Sequence, residues 1–137
     1  MLVKDLKFIE KLSPEMCGIG PFVPHKDTKF KNENHGDVSL VLMLLSIIRL
    51  LKPNILLPAT TALGTVDPLG REKGILHGAN VVMPNLSPVK HRKDYSLYDN
   101  KICTGDEAAQ CIGCLADRMK KIGYEIVTDR GDYKADI

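Results

Sequence analysis

The sequence predicts an α/β fold with a parallel sheet, and two observations lead to this prediction. Three short apolar runs, at 15–20, 54–59 and 80–85, have the length and composition of buried strands. Segments with helical periodicity precede and separate these runs, so that helices and strands alternate along the chain. Strands of a parallel sheet are covered by helices and therefore consist mainly of apolar residues.

Helices are predicted from the spacing of apolar residues and from capping signals. The first carries an apolar stripe and ends before Pro14. The second is almost wholly apolar and follows Asp37, a residue type that caps helix N-termini well. A last strand is predicted at Tyr124–Thr128. The four predicted helices span residues 2–12, 38–51, 67–77 and 107–122.

Two architectures fit this alternation. A doubly wound, flavodoxin-like domain closes at 137 residues, whereas a (β/α)8 barrel needs ~250 residues and would be present only in half. The chain begins with a helix that has no strand before it, and its only glycine-rich turn is the short Gly18-Ile19-Gly20. Both features favour half a barrel, although periodicity alone leaves both architectures open.

Composition argues against several classes of partner. The net charge is +2 and the basic residues are dispersed, so we expect no nucleic-acid partner. The densest basic run, Lys90–Lys93, is predicted to be a solvated loop. The apolar segment 38–51 is shorter than the ~20 residues that span a bilayer, and Arg49 interrupts it. With no secretory signal and four cysteines, we expect a cytoplasmic protein with reduced thiols and no membrane partner.

Candidate site residues follow the predicted strands, because α/β proteins bind ligands beyond the carboxyl ends of their strands. Thr60 and Thr61 follow the second strand, where they either present hydroxyl groups to an anion or cap the next turn. Met16 and Met83 lie in the first and third strands, as core residues or as ligand contacts.

The cysteines suggest a metal site. Cys103, Cys111 and Cys114 form a C-x7-C-x2-C pattern, and the last two lie three residues apart in a predicted helix, on one side of it. Thiolates at such spacing suit zinc or an iron–sulfur cluster, and three unligated thiols are the alternative. Cys17 is expected to be an inert buried thiol. The four histidines show no catalytic or metal-binding spacing, and no catalytic residue is assigned.

Three sequence blocks carry a resemblance to a known family. They are MCGIGPFVPHKDT at 16–28, LPATTALGT at 57–65 and GANVVMPN at 78–85, followed by the three-cysteine pattern. Together they resemble the HydE-type radical S-adenosylmethionine maturases of [FeFe]-hydrogenase, which are related to biotin synthase. Biotin synthase relatives share the theme of the first block, so the second block and the cysteines are the more specific signals.

The resemblance implies a fold, a cofactor set and a role for each matching residue. The fold is a (β/α)8 radical S-adenosylmethionine barrel. A [4Fe-4S] cluster cleaves S-adenosylmethionine to a radical, which acts on a small iron-containing substrate during assembly of the H-cluster, together with other hydrogenase maturation proteins. The matching positions are Met16, Met83 and Tyr95 for the S-adenosylmethionine pocket, Thr60, Thr61 and Tyr98 for the substrate cavity, and Cys103, Cys111 and Cys114 for an auxiliary iron–sulfur cluster.

One departure from the family limits this carry-over. The C-x3-C-x2-C motif that holds the family's radical-generating cluster is absent from these 137 residues. We therefore expect the C-terminal half of the barrel at 1–100 and a cluster-binding segment at 101–137, inactive without the N-terminal half or a neighbouring polypeptide. The open edge of such a half-barrel is expected to promote dimerisation. A non-enzymatic iron–sulfur or zinc-binding module and a self-contained flavodoxin-like small-ligand domain are the alternatives.

Overall fold

The predicted parallel strands lie side by side in the computed structural model, which describes residues 1–95, 97–102, 108–127 and 129–133. Strand β1 (Pro58–Ala59) pairs in parallel with β2 (Val81–Val82). Leu56, two residues before β1, forms a parallel bridge with Met16, so the Met16 segment lies on the side of the β1 segment away from β2. The regular strands are shorter than the apolar runs, but their order and direction agree with the α/β prediction, which is confirmed.

Five α-helices and one 3-10 helix are found among the described residues. The first two agree with the sequence prediction, and Asp37 does cap the second helix, since its carboxylate accepts a hydrogen bond from Ser39 N at 2.8 Å. The elements are α1 (Leu2–Leu12), α2 (Val38–Leu51), α3 (Thr61–Val66), α4 (Gly70–Leu76), the 3-10 helix Val89–Tyr95 and α5 (Ala108–Lys121).

The helix predicted at 67–77 is found as the shorter helix α4, and the residues before it form α3, which was not predicted. A side chain caps the start of α3, whereas a side chain closes the turn that precedes α4. The Thr60 hydroxyl accepts a hydrogen bond from Leu63 N at 3.4 Å, and the Asp67 carboxylate accepts one from Leu69 N at 2.9 Å. Pro68 consequently lies in the turn before α4 rather than in its first turn. Gly78 ends this region with a φ of +101°, a left-handed conformation that favours glycine.

The helices cover one face of the small sheet. Ile55, Leu57 and Ala59 alternate along the β1 segment and are almost fully buried, together with the inner faces of α2 and α4. Of the intervening residues, Leu56 and Thr60 are partly exposed, whereas Pro58 is buried. Because successive strand residues point to opposite faces, the sheet has one helix-covered face and one partly exposed face, which we call the open face.

Asn80 fixes the register between the β1 segment and β2. Its side-chain Oδ1 accepts a hydrogen bond from Leu57 N at 2.8 Å, and its own backbone N–H donates to Leu57 O at 2.9 Å. Val81 N also donates to Leu57 O, at 3.1 Å. Leu57 is thus held by backbone and side-chain groups at the start of the strand pair.

Helix α5 packs on the same core as the preceding elements. Leu115 and Met119 are buried in that core. The Arg118 guanidinium forms a two-point ion pair with Glu72 of α4, in which Nη2 lies 2.7 Å from Oε2, and it also donates to Pro68 O. The segment predicted to bind a cluster therefore shares its packing with the first hundred residues.

Two expectations from the sequence differ from the structure. Tyr124–Val127 is not a strand, and Thr128 lies outside the described residues. The side chain of Val127 is 79% exposed, which a buried strand would not allow. The expectation of a solvated loop is wrong for Arg92 in the basic run, because its side chain is buried and donates to two backbone carbonyl groups. No helix in the described part of the chain is long and apolar enough to cross a membrane.

Candidate functional site

Three of the predicted site residues share the open face of the sheet. Met16 pairs with Leu56, whose side chain points to the open face. Thr60 lies four residues beyond Leu56. Because strand side chains alternate between faces, Met16 and Thr60 are on the open face with Leu56. Val81 pairs with Pro58, which puts Met83 on this face as well. Residues of the opposite strand face pack against the core, and among them are Cys17, Ile19 and Val82.

Thr60 lies at the carboxyl end of the β1 segment and in close contact with the first strand. A Cβ atom added to Gly20 would lie only 2.7 Å from Thr60 Oγ1, so glycine is what allows these two segments to approach. The Thr60 hydroxyl accepts from Leu63 N and keeps its own hydrogen free to donate. Thr61 begins α3, and its carbonyl oxygen accepts from the Thr65 hydroxyl at 3.0 Å.

The three residues predicted for the S-adenosylmethionine pocket keep exposed side chains. Met16 is 49% exposed, Met83 is 47% exposed and Tyr95 is more exposed than either. Core residues of this chain are below 10%, so the interpretation of both methionines as core residues is wrong. Met83 and Tyr95 follow β2, whereas Met16 lies within the strand pairing, level with Leu56. Accessible apolar side chains of this kind fit contacts to a bound cofactor.

The loop at 97–102 brings Tyr98 to the same end of the sheet. Asp99 N donates to Pro24 O at 3.1 Å, in the loop after the first strand. Ile102 N donates to Thr65 Oγ1 at 3.4 Å, in α3 after β1. The loop therefore contacts segments that follow two neighbouring strands, and Tyr98, which is partly buried, directly precedes the first of these two attachment points.

The best-defined cavity lies elsewhere. Its volume is about 480 Å³, and it opens between β2 and the segments 124–127 and 129–131. Of the predicted site residues that the structure describes, Met16 alone lines it; Thr60 and Met83 at the carboxyl edge do not. The cavity is also lined by Leu56, the bridge partner of Met16, and by Met119 of α5.

The two described cysteines of the C-x7-C-x2-C pattern lie three residues apart in α5. Cys111 is 3% exposed and its sulfur accepts a hydrogen bond from Asn85 N at 3.4 Å, whereas Cys114 is exposed. Cys103 lies outside the described residues, within which no group of three His, Cys, Asp or Glu side chains is arranged to hold a metal. Two thiols, one of which accepts a hydrogen bond from a backbone N–H, have the chemistry of metal-binding thiolates.

Cys17 differs from this pair. It lies next to Met16 on the covered face, where burial raises the pKa of its thiol. A raised pKa keeps the thiol protonated, and a protonated thiol is a poor nucleophile and metal ligand. The surroundings of Cys17 are thus those of an unreactive thiol, as the sequence suggested.

Ion pairs stabilise the helices behind the site. Burial acts to raise the pKa of the Glu72 carboxyl, but hydrogen bonds and charge from Arg118 outweigh it and lower that pKa below the usual value. Hydrogen bonds from Lys73 and from Leu69 N lower the pKa of Asp67. Both carboxylates are therefore ionised at neutral pH, and the Glu72–Arg118 pair ties α5 to α4.

Sequence reasoning missed the role of Asn85 and Arg92. Arg92 Nη2 donates to Asn85 O at 3.1 Å and Arg92 Nε donates to Ser87 O at 2.8 Å. A basic residue in a charged run gives no signal of burial from sequence alone. The pattern of Asn85 directly after a strand and facing a helix cysteine appears only once β2 and α5 are packed together.

Comparison with known proteins gives one curated relative. No protein-family model matches the chain. Over 133 residues, the chain is 43% identical to the [FeFe] hydrogenase maturase subunit HydE of Thermotoga maritima. This match covers 97% of the chain but 38% of the maturase subunit, so the chain spans less than half the length of that relative. The predicted resemblance to the HydE-type maturases is therefore confirmed across nearly the whole of this chain.

Proposed function

We propose that the chain forms the C-terminal half of the (β/α)8 barrel of a radical S-adenosylmethionine maturase, which acts with other maturation proteins in assembly of the [FeFe]-hydrogenase H-cluster. The observation that supports this most directly is the position of the three family-like blocks. They run through the Met16 segment, β1 and β2, which are neighbouring parallel strands, and end at one edge. Barrel enzymes bind substrates and cofactors at that edge.

Met16, Met83 and Tyr95 are proposed to form part of the S-adenosylmethionine pocket. The two methionines lie on the open face of the sheet, which would be the inner face of a closed barrel, and all three side chains are exposed. Apolar contacts of this kind bind a nucleoside-containing cofactor and exclude water around it. When bound, S-adenosylmethionine and the [4Fe-4S] cluster supply radical chemistry, for which these residues provide binding and orientation.

Thr60, Thr61 and Tyr98 are proposed to line the substrate cavity. The Thr60 hydroxyl is fixed by its hydrogen bond from Leu63 N and by its contact with Gly20, and it retains a hydrogen for donation. Thr61 and Tyr98 add two more hydroxyl groups near the same edge. Hydroxyl donors at fixed positions suit a small anionic or iron-containing substrate.

Cys103, Cys111 and Cys114 are proposed to hold an auxiliary metal centre, either an iron–sulfur cluster or zinc. This centre is separate from the radical-generating cluster, whose C-x3-C-x2-C ligands are absent from these residues. The chain alone would then bind metal without catalysis, and a polypeptide that carries the missing motif would complete the enzyme. Metal binding without catalysis is also the second candidate function, favoured by the Asn85 N–H at Cys111.

A complementation experiment tests the proposal. The chain is reconstituted anaerobically with iron and sulfide, alone and after co-expression with the part of the Thermotoga maritima subunit that lies outside the match. Formation of 5′-deoxyadenosine from S-adenosylmethionine and dithionite is then measured. We expect the product only from the co-expressed pair. Product from the chain alone would contradict the proposed division of the barrel, and no product from a purified stable pair would favour the metal-binding module.

Cysteine variants test the auxiliary centre. Triple substitution of Cys103, Cys111 and Cys114 by serine should abolish iron and sulfide binding by the isolated chain. Cys17→Ser is the matched control, because Cys17 is packed on the covered face and should not contribute a ligand. Unchanged metal content in the triple variant would remove the proposed centre.

A further inference from the structure

The peptide group of Asn85 links the end of β2's strand to helix α5. Its N–H donates to the sulfur of Cys111 at 3.4 Å, and Cys111 is almost completely shielded from solvent. A hydrogen bond to a coordinating thiolate offsets part of the negative charge on sulfur, and such bonds tune metal and cluster sites in proteins. The geometry therefore provides one specific support for Cys111 as a ligand.

Arg92 holds this peptide in place. Its side chain is 3% exposed, and it donates to the carbonyl oxygens of Asn85 and Ser87 at 3.1 and 2.8 Å. Ser87 N also donates to the Asn85 side-chain Oδ1 at 3.2 Å, which closes the turn. Because a guanidinium group has a planar, fixed arrangement of donors, it fixes both carbonyl groups at once.

We propose that Arg92 is a positioning residue that holds the Asn85 N–H against Cys111 and thereby strengthens metal binding at the proposed cysteine centre. The inference rests on that centre, because it assigns the source of its affinity. In this proposal Arg92 is not a ligand and acts through the Asn85 peptide. A purely structural Arg92 would stabilise the turn without any effect on the metal–sulfur bond.

A pair of variants at Asn85 separates these roles. Asn85→Pro removes the backbone N–H, while Asn85→Ala keeps the N–H and removes the side chain with its contact to Ser87. Co²⁺ is the probe, since the thiolate-to-Co²⁺ charge-transfer band reports on the metal–sulfur bond directly. Affinity is measured on the full chain by competition with a chelator, and helix content by circular dichroism.

We expect Asn85→Pro to bind Co²⁺ roughly 10- to 100-fold more weakly than Asn85→Ala, the range found when outer-shell partners of metal ligands are removed. The charge-transfer band should also move to lower energy, because the sulfur loses a donor and becomes more electron-rich. Arg92→Lys, which cannot span both carbonyl groups, should shift both readouts in the same direction by a smaller amount, and it serves if the proline variant does not fold.

A double-mutant cycle decides the assignment. In a Cys111→Ser background, the Arg92 and Asn85 substitutions should have no further effect on Co²⁺ affinity. Equal losses with and without Cys111, or an unshifted band in folded variants, would overturn the role of Arg92 while leaving the cysteine centre intact. Failure of the unaltered chain to bind Co²⁺ through its thiols would instead overturn the centre, and this inference with it.

Discussion

The two faces of the small sheet differ in what their residues contribute. On the covered face, Leu57 has no exposed surface, and its neighbours in the strand and in α2 pack around it. On the open face, Met16 remains half exposed although it forms a strand bridge with Leu56. Packing density therefore decides stability on one side, whereas the other side is available for a ligand or for further polypeptide.

The largest expected effect comes from the covered face. Leu57→Ala should lower the free energy of unfolding by about 4 kcal/mol, because it removes buried methyl groups and leaves a cavity. Met16→Ala is the matched control on the open face and should cost less than about 1 kcal/mol. Chemical denaturation followed by circular dichroism measures both. Similar losses for the two variants would contradict the difference between the faces.

The next effect concerns the ion pair behind the covered face. Glu72→Gln leaves Arg118 without its partner carboxylate and should cost about 3 kcal/mol. The pKa of Glu72 is lowered in the folded chain, so its contribution is present above the unfolded-state pKa and is lost as pH falls through the folded-state value. Denaturation at pH 7 and at acidic pH should show the variant's deficit shrinking with acid; a constant deficit would argue against the ion pair.

A smaller effect is expected at the edge of the open face. Gly20→Ala places a methyl group against Thr60 Oγ1, and the resulting overpacking should cost about 2 kcal/mol and displace the Thr60 hydroxyl. Gly18→Ala is the control, since an added Cβ there meets no atom within 4 Å. The melting temperatures of the two variants are compared by thermal unfolding. Equal melting temperatures would contradict the close contact between Gly20 and Thr60.

The smallest effect is expected at the exposed Asp67–Lys73 pair. Lys73→Met should change the free energy of unfolding by less than about 1 kcal/mol, because solvent screens such pairs. Asp67→Ala should cost more than Lys73→Met, since it also removes the acceptor for Leu69 N in the turn before α4. The same denaturation assay ranks the two, and the reverse ranking would show that the ion pair contributes more than the turn hydrogen bond.

Local signals explain which parts of the fold are predictable. The helix at 38–51 and its Asp37 cap are encoded in adjacent residues, and so is the stop at Gly78. Helix α3 was missed because it is short and its residues, Thr61–Val66, include a glycine and two threonines, so that they show no clear helical period. The run at 124–127 has the composition of a strand but is not one, and composition alone does not reveal whether a run finds a partner strand.

The candidate site follows the same rule. Alternation and strand order were enough to predict that Thr60 and Met83 lie near one edge, because Thr60 follows the second apolar run and Met83 lies in the second half of the third. The burial of Arg92 and its hydrogen bond to Asn85 O arise only in the folded chain. Patterns of neighbouring residues therefore do not predict them. The relation of Cys111 to Asn85, 26 residues apart, likewise arises from the packing of α5 on the sheet.

The hydrogen bonds that the side chain and the backbone of Asn80 form with Leu57 affect how the site assembles. A slip of one residue between these strands would break the side-chain and backbone bonds together, so misaligned pairings lose both at once. Only the observed alignment brings Thr60 level with Met83. The amide side chain of Asn80, at one end of the strand pair, thus determines the relative positions of Thr60 and Met83 at the other end.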